Sequence, residues 1–184
     1  MAEQSVRVDA TSASPIPTYS VSNAIVKNSY VFSMAGILGV AGDNNYVSLE
    51  NPVGSTKTIV ILGTFISSVV TAASSVTNAM RGHRAGVVSG GSTVAASAIA
   101  KPVSTMPDPV GVIRTGNPTL TRAAQIFSIP AMTSAGADRA APFAVNFAAV
   151  PGGFQLAPGE SLAINAAAGD ANVRWNISVL WGEV

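Results

Sequence analysis

The sequence predicts an all-β fold, a sandwich or a barrel. Apolar and polar residues alternate in several short segments, the pattern of strands with one face on a core. Glycine and proline turns separate these segments, and none has the spacing of a strongly amphipathic helix. Eight or more short strands joined by such turns are typical of sandwiches and barrels.

The first twenty residues are polar and small, and they predict an extended N-terminal arm. The arm ends near Ser14, Pro15, Ile16 and Pro17, and it is either disordered or ordered by a partner. Residues 21–184 are then expected to form one sandwich domain, because the chain is too short for two domains of ordinary size. No basic region followed by an apolar one opens the chain, so cytoplasmic synthesis is expected.

A strand and a tight turn are predicted before residue 55. Tyr46, Ser48 and Glu50 alternate with Val47 and Leu49, which indicates a strand buried on one face. Asn51-Pro52-Val53-Gly54 follows, with proline in the second position and glycine in the fourth, an arrangement that favours a tight turn.

The apolar stretch from Thr58 to Val76 has three interpretations. A membrane span is disfavoured by its serines, its β-branched residues and the basic residues on both sides. A phosphate-binding loop is excluded because the glycine and lysine of GSTKT are not adjacent. A strand apolar on both faces fits best, and a neighbouring subunit would cover its second face. Ile59, Ile61 and Phe65 would face one way, and Val60, Leu62 and Ile66 the other.

The remaining strands are predicted from similar patterns. The clearest is the last, where Val173, Trp175, Ile177, Val179 and Trp181 share one face and indicate core packing. Between residues 86 and 109 we expect a long connection with at most one short strand. The other strand candidates lie at Val76–Arg84, Val110–Arg114, Gln125–Ile129, Phe143–Phe147, Phe154–Leu156 and Leu162–Ile164.

The composition points to a chain whose surface is shared with others. Only 10% of the residues are charged and the net charge is +1, against roughly 25% charged residues in an ordinary soluble domain. A surface with so few charges favours association with other protein chains. It has no strong positive electrostatic potential that would attract nucleic acid or an anionic membrane. Cysteine is absent, which excludes a disulfide framework and a thiolate site.

No residue pattern predicts catalysis, a cofactor or a metal, and we expect a protein that is not an enzyme. The single histidine, His83, has no acidic neighbour in sequence, and no nucleophile elbow is present. The nine carboxylates are scattered, although folding could still pair two of them. His83 is either a polar residue at a strand end or, with Arg81 and Arg84, part of a basic patch that faces an acidic partner.

Several segments together resemble small β-sandwich structural proteins of tailed-phage virions. These are the polar arm, NPVGS at residues 51–55, RTGNPT at Arg114–Thr119, LAPGESLAI at residues 156–164 and GDANVRWNISVLWGE at residues 169–183. The likeness covers most of the chain from about Tyr46 onward and rests on turns and patterns. It implies a jelly-roll-like antiparallel β-sandwich and a role as a capsid decoration (cement) protein.

Three hypotheses about function follow. The first is a virion protein on the capsid surface that bridges neighbouring subunits of the major capsid protein and forms a homotrimer or a dimer. It would bind neither nucleic acid nor membrane, and the candidate contacts are Ser14 to Pro17, Arg81, His83 and Arg84. The alternative is a tail or fibre module that binds a receptor or a carbohydrate. The third is a hydrolase that uses two carboxylates brought together by folding.

Overall fold

A computed structural model describes residues 28–39, 43–70, 79–130, 143–147, 153–166 and 172–184. In these ranges the chain forms strands and one 3-10 turn, Ala96–Ala98, with no α-helix. The strands are β1 (Asn28–Leu38), β2 (Asn44–Glu50), β3 (Ile59–Val70), β4 (Ala79–Ala85), β5 (Ser92–Thr93), β6 (Val112–Thr115), β7 (Arg122–Pro130), β8 (Phe143–Asn146), β9 (Phe154–Leu156), β10 (Ser161–Ala166) and β11 (Val173–Glu183).

The strands form two antiparallel sheets that pack as a sandwich, which confirms the all-β prediction. The front sheet has the order β1-β11-β3-β8, and β9 pairs with the same edge of β3 beside β8. The back sheet has the order β5-β6-β2-β10-β4-β7. The side chains that face each other between the sheets form one hydrophobic core.

The pairing between strands is nested. β1 pairs with β11, β2 with β10, β3 with β8 and β9, and β4 with β7. The first half of the chain therefore pairs with the second half in reverse order, and successive pairs alternate between the two sheets. A long antiparallel hairpin rolled around a common core has this connectivity.

The last strand supplies the centre of the core, as its alternation predicts. Its inward residues are all buried, and both tryptophans are at most 1% exposed. Trp181 packs against Tyr30 of β1, with ring centroids 5.6 Å apart. The prediction that the tryptophans are core residues is confirmed.

A β-bulge in β3 changes the predicted faces of that strand. Trp181 pairs with Ile61, but Leu180 pairs with Gly63, so Leu62 is an extra residue on β3. An extra residue reverses the alternation beyond it. Ile66 therefore joins Ile59 and Ile61 on the core side, and Phe65 lies on the outer side with 50% of its surface exposed. The predicted assignment of Phe65 and Ile66 was wrong.

Strand β2 is buried on both faces, whereas one buried face was predicted. Its outward side chains and those of β10 lie beneath two segments, residues 86–91 and 116–121. Ser161 Oγ donates to the carbonyl oxygen of Gly86, and Asn45 Nδ2 donates to that of Pro118. The two segments also bridge each other between Ser89 and Thr119. Under this cover the outward residues of both strands are small or polar, and they include Ser48, Glu50, Ser161, Ala163 and Asn165.

The turn between β2 and β3 lies one residue later than predicted. Ser55 N donates to Pro52 O at 3.1 Å, so the turn runs from Pro52 to Ser55. Gly54 then occupies the third position with a φ of 82°, a conformation that glycine adopts without strain. Asn51 is instead a buried anchor, because its Nδ2 donates to the carbonyl oxygens of Lys57 and Leu156.

Candidate interaction surfaces

The three predicted basic residues on β4 do not share one face. Met80 and Gly82 face the core, and Gly82 is covered by the ring of Phe127. Because side chains alternate along a strand, Arg81 and His83 lie on the outer face of the back sheet. Arg84 lies on the inner side, at the end of the sandwich.

Arg84 is bound within its own chain. Its Nη1 lies 2.6 Å from Glu160 Oε2, and its guanidinium carbon lies 4.5 Å from the centre of the Phe154 ring. Glu160 Oε2 also accepts a hydrogen bond from Ala157 N, so this contact fastens β4 of the back sheet to the β9–β10 turn. We therefore exclude Arg84 from the docking hypothesis, and Arg81 and His83 stay in it.

His83 is only weakly held. Its Nδ1 lies 3.5 Å from the carbonyl oxygen of Ala123 on the neighbouring strand. Ser14, Pro15, Ile16 and Pro17 lie outside the described residues. The structure thus places two of the seven predicted contact residues, Arg81 and His83, side by side on the outer face of the back sheet.

All five carboxylates in the described part of the chain are engaged in internal contacts. Glu183 Oε1 accepts from the backbone N–H groups of Val110 and Gly111 at 2.8 and 2.9 Å. The others form ion pairs, which are Asp43–Arg122, Glu50–Arg114, Lys101–Asp108 and Arg84–Glu160. Within the described ranges, no three histidine, cysteine or carboxylate side chains are grouped as metal ligands would be.

Asp43 is the carboxylate with the most polar contacts. Arg122 donates to both of its oxygens, at 2.8 and 2.7 Å, and Asn165 Nδ2 donates at 2.7 Å. The hydrogen bond from Arg122 is the largest cause of the lowered pKa of Asp43. Partial burial, the second-largest cause, raises this pKa, and the hydrogen bond from Asn165 and the charges of Arg122 and Arg81 lower it further.

This pair predicts an acid-dependent loss of stability. The pKa of Asp43 is lower in the folded chain than in the unfolded chain, where it is about 4. The ionised Asp43 carboxylate therefore adds to the free energy of unfolding above about pH 4. This stabilisation is lost as the pH falls through the pKa of Asp43 in the folded chain. Because the side chain of Asp43 is 49% exposed, we expect the pair with Arg122 to add only about 0.5–1 kcal/mol to the free energy of unfolding at pH 7. Urea unfolding of wild type and Asp43→Asn should show this difference at pH 7 and a smaller one at pH 3; an equal difference at both would contradict it.

The outer face of the front sheet is almost free of charge. Its side chains alternate with those that enter the core, and Arg174 is the one charged residue among them. Phe65 is the one exposed aromatic residue in the described part of the chain. The outward set comprises Ser29, Val31, Ser33, Leu38, Val60, Gly63, Phe65, Ser67, Val69, Ala144, Asn146, Gln155, Arg174, Asn176, Ser178, Leu180 and Gly182.

The described residues include no helix of the length and hydropathy needed to cross a membrane.

The sequence patterns did not indicate the positions of two residues that matter for these surfaces. Glu183 carried no signal, because its partners are backbone groups more than seventy positions away. Phe65 was predicted on the wrong face, because a bulge leaves no clear mark in the alternation of apolar and polar residues.

No protein-family model, curated protein or solved structure matches this chain.

Proposed function

We propose that this chain is a structural virion protein that decorates a viral capsid and bridges neighbouring capsid subunits. The observation that carries the proposal is the nested pairing of β1 with β11, β2 with β10, β3 with β8 and β9, and β4 with β7. This connectivity supports a jelly roll, a two-sheet fold that recurs in viral capsid proteins and lectins. Cementing a shell needs contact area and no reactive group.

The distribution of charge favours this role. The described carboxylates already have partners inside the chain, so outward contacts are left mainly to neutral side chains and a few cations. Neutral small residues allow close approach of another protein, because few charges lose water on contact. Arg81 and His83 on the back sheet then face the acidic groups of the major capsid protein.

The arm would provide the second contact. An extended segment of 20 residues reaches at most about 70 Å, enough to contact an adjacent shell subunit. Ordering it costs roughly 1–2 kcal/mol of backbone entropy per residue, so it needs a substantial partner surface. In this proposal residues 1–20, including Ser14 to Pro17, become ordered against the major capsid protein.

The lectin-like alternative, a tail or fibre module, has less support. Sugar sites commonly present aromatic rings on which the ligand stacks. In the described ranges Phe65 is the one exposed aromatic ring, and both tryptophans are buried. Binding to a glycan array by the full chain would favour this alternative.

Attachment to purified shells that lack this chain tests the proposal. Deletion of residues 1–20 should leave the sandwich folded and weaken attachment about tenfold or more, which corresponds to about 1.4 kcal/mol. Arg81→Ala with His83→Ala should also weaken it, by a smaller factor. Arg174→Ala is the matched control, because it removes one cation from the opposite sheet. Cosedimentation measures occupancy, and full occupancy by the truncated chain would refute this mechanism.

A further inference from the structure

We infer that the outer face of the front sheet binds the same face of a second copy of this chain. This inference does not rest on the capsid proposal, because it concerns only how two copies meet. It is carried by the shape of the face around Phe65, its area and its charge.

Phe65 is the one exposed aromatic side chain of the described residues, and its nearest neighbours on this face are small. On the two neighbouring strands its partners are Ser178 of β11 and Ala144 of β8. Along β3, Gly63 and Ser67 lie on either side of it on the same face. An aromatic anchor among small residues is typical of the centre of a protein interface, where one ring provides much of the binding energy.

The area of the face is that of a stable dimer interface. Strand β11, at the centre of this sheet, has 11 residues, and at about 3.4 Å per residue it spans roughly 37 Å. Four strand positions at about 4.8 Å add a width of roughly 19 Å. The product outlines about 700 Å² for each copy, of which the part at Val60 is already covered within the chain, and it is close to the ~800 Å² per partner of a standard interface. A sheet face of this size can pack on another as the sheets of a sandwich do.

The charge of the face suits a partner with an equally neutral surface. Arg174 lies near one end of the face, paired with Leu38 and Val69, four residues from Ser178. A twofold axis near Phe65 places the two copies of Arg174 at opposite ends, about 25 Å apart at 3.4 Å per residue. This exceeds the Debye length of about 8 Å at physiological ionic strength, so the two cations do not oppose association. A strongly charged partner would have no complementary charges on this face apart from Arg174.

Sedimentation equilibrium of the full chain tests the inference. Wild type should form dimers, and Phe65→Ser should raise the dimer dissociation constant about thirtyfold, as expected for an interface hot spot. Val53→Ser is the matched control, because Val53 is a 72% exposed apolar residue in the β2–β3 turn, and its dissociation constant should equal that of wild type. Far-UV circular dichroism checks that each variant is folded.

A spin-label experiment tests the geometry independently. The chain contains no cysteine, so Ala144→Cys places one label per copy beside Phe65. In the full chain this label should give a shorter distance between copies than a label at Val53→Cys. A wild type that stays monomeric, a Phe65→Ser variant that associates as tightly as wild type, or a shorter distance from Val53→Cys would each overturn the inference. Dimers that fail to bind shells would instead count against the capsid proposal alone.

Discussion

Trp181→Ala is expected to lower the free energy of unfolding by about 3–5 kcal/mol, the range for loss of a large buried aromatic side chain. Trp181 is fully buried and contacts residues of both sheets. Its ring lies against Tyr30 of the front sheet, and its Nε1 lies beside Gly111, which precedes β6 of the back sheet. Removal of the indole therefore leaves a cavity between the sheets that neither sheet can close alone.

Chemical denaturation of wild type and Trp181→Ala, monitored by far-UV circular dichroism, measures this effect. Val53→Ala serves as the control, because an exposed substitution without special contacts changes stability by less than about 0.5 kcal/mol. A loss below about 1 kcal/mol for Trp181→Ala would show that this residue is not at the centre of the core.

Glu183→Ala should destabilise the chain by about 3 kcal/mol. The carboxylate is 2% exposed and accepts from two consecutive backbone N–H groups, those of Val110 and Gly111. Hydrogen bonds to charged groups contribute about 1.5–3 kcal/mol each, and a buried donor left without an acceptor adds a penalty. Without Glu183, the segment that leads into β6 loses its attachment to the last strand.

Glu183→Gln is the control for this prediction. The amide oxygen can still accept at the same position, so the loss should be about half that of Glu183→Ala. Hydrogen exchange of the Val110 and Gly111 amides gives a local measurement. Fast exchange in the alanine variant and slow exchange in the glutamine variant are expected, and equal protection of both amides in all three proteins would contradict the assigned role.

The sequence was sufficient for the fold class and for the elements whose alternation is unbroken. In β11 five apolar residues at every second position predicted both the strand and its buried face. In β10 the pattern around Leu162 and Ile164 gave the strand and its inward residues. Such patterns are local, so they can be read without knowledge of the partner strand.

The rest of the fold depends on contacts between distant segments. The burial of β2 on both faces comes from two segments that cross it, and neither segment has a pattern that reveals this path. The bulge at Leu62 is defined by the pairing of β3 with β11, more than a hundred residues later. Strand β1 was missed, although Tyr30, Phe32 and Met34 alternate, because Gly36 and a bulge interrupt its second half.

The candidate contacts show the same limit. Arg81, His83 and Arg84 are adjacent in sequence and suggested one basic patch. Alternation along β4 separates Arg84 from the other two, and its partner, Glu160, is seventy-six residues away. Phe65 became a candidate anchor only once the bulge placed it on the outer side of the front sheet.

Cryo-electron microscopy of purified particles that contain this chain tests the proposed role in capsid decoration, because it gives position and copy number together. We expect β-sandwich density on the outer surface of the capsid, repeated with the symmetry of the shell. Each copy should contact at least two neighbouring capsid subunits. Density confined to the tail, or a shell that carries no copies of this chain, would contradict a role in capsid decoration.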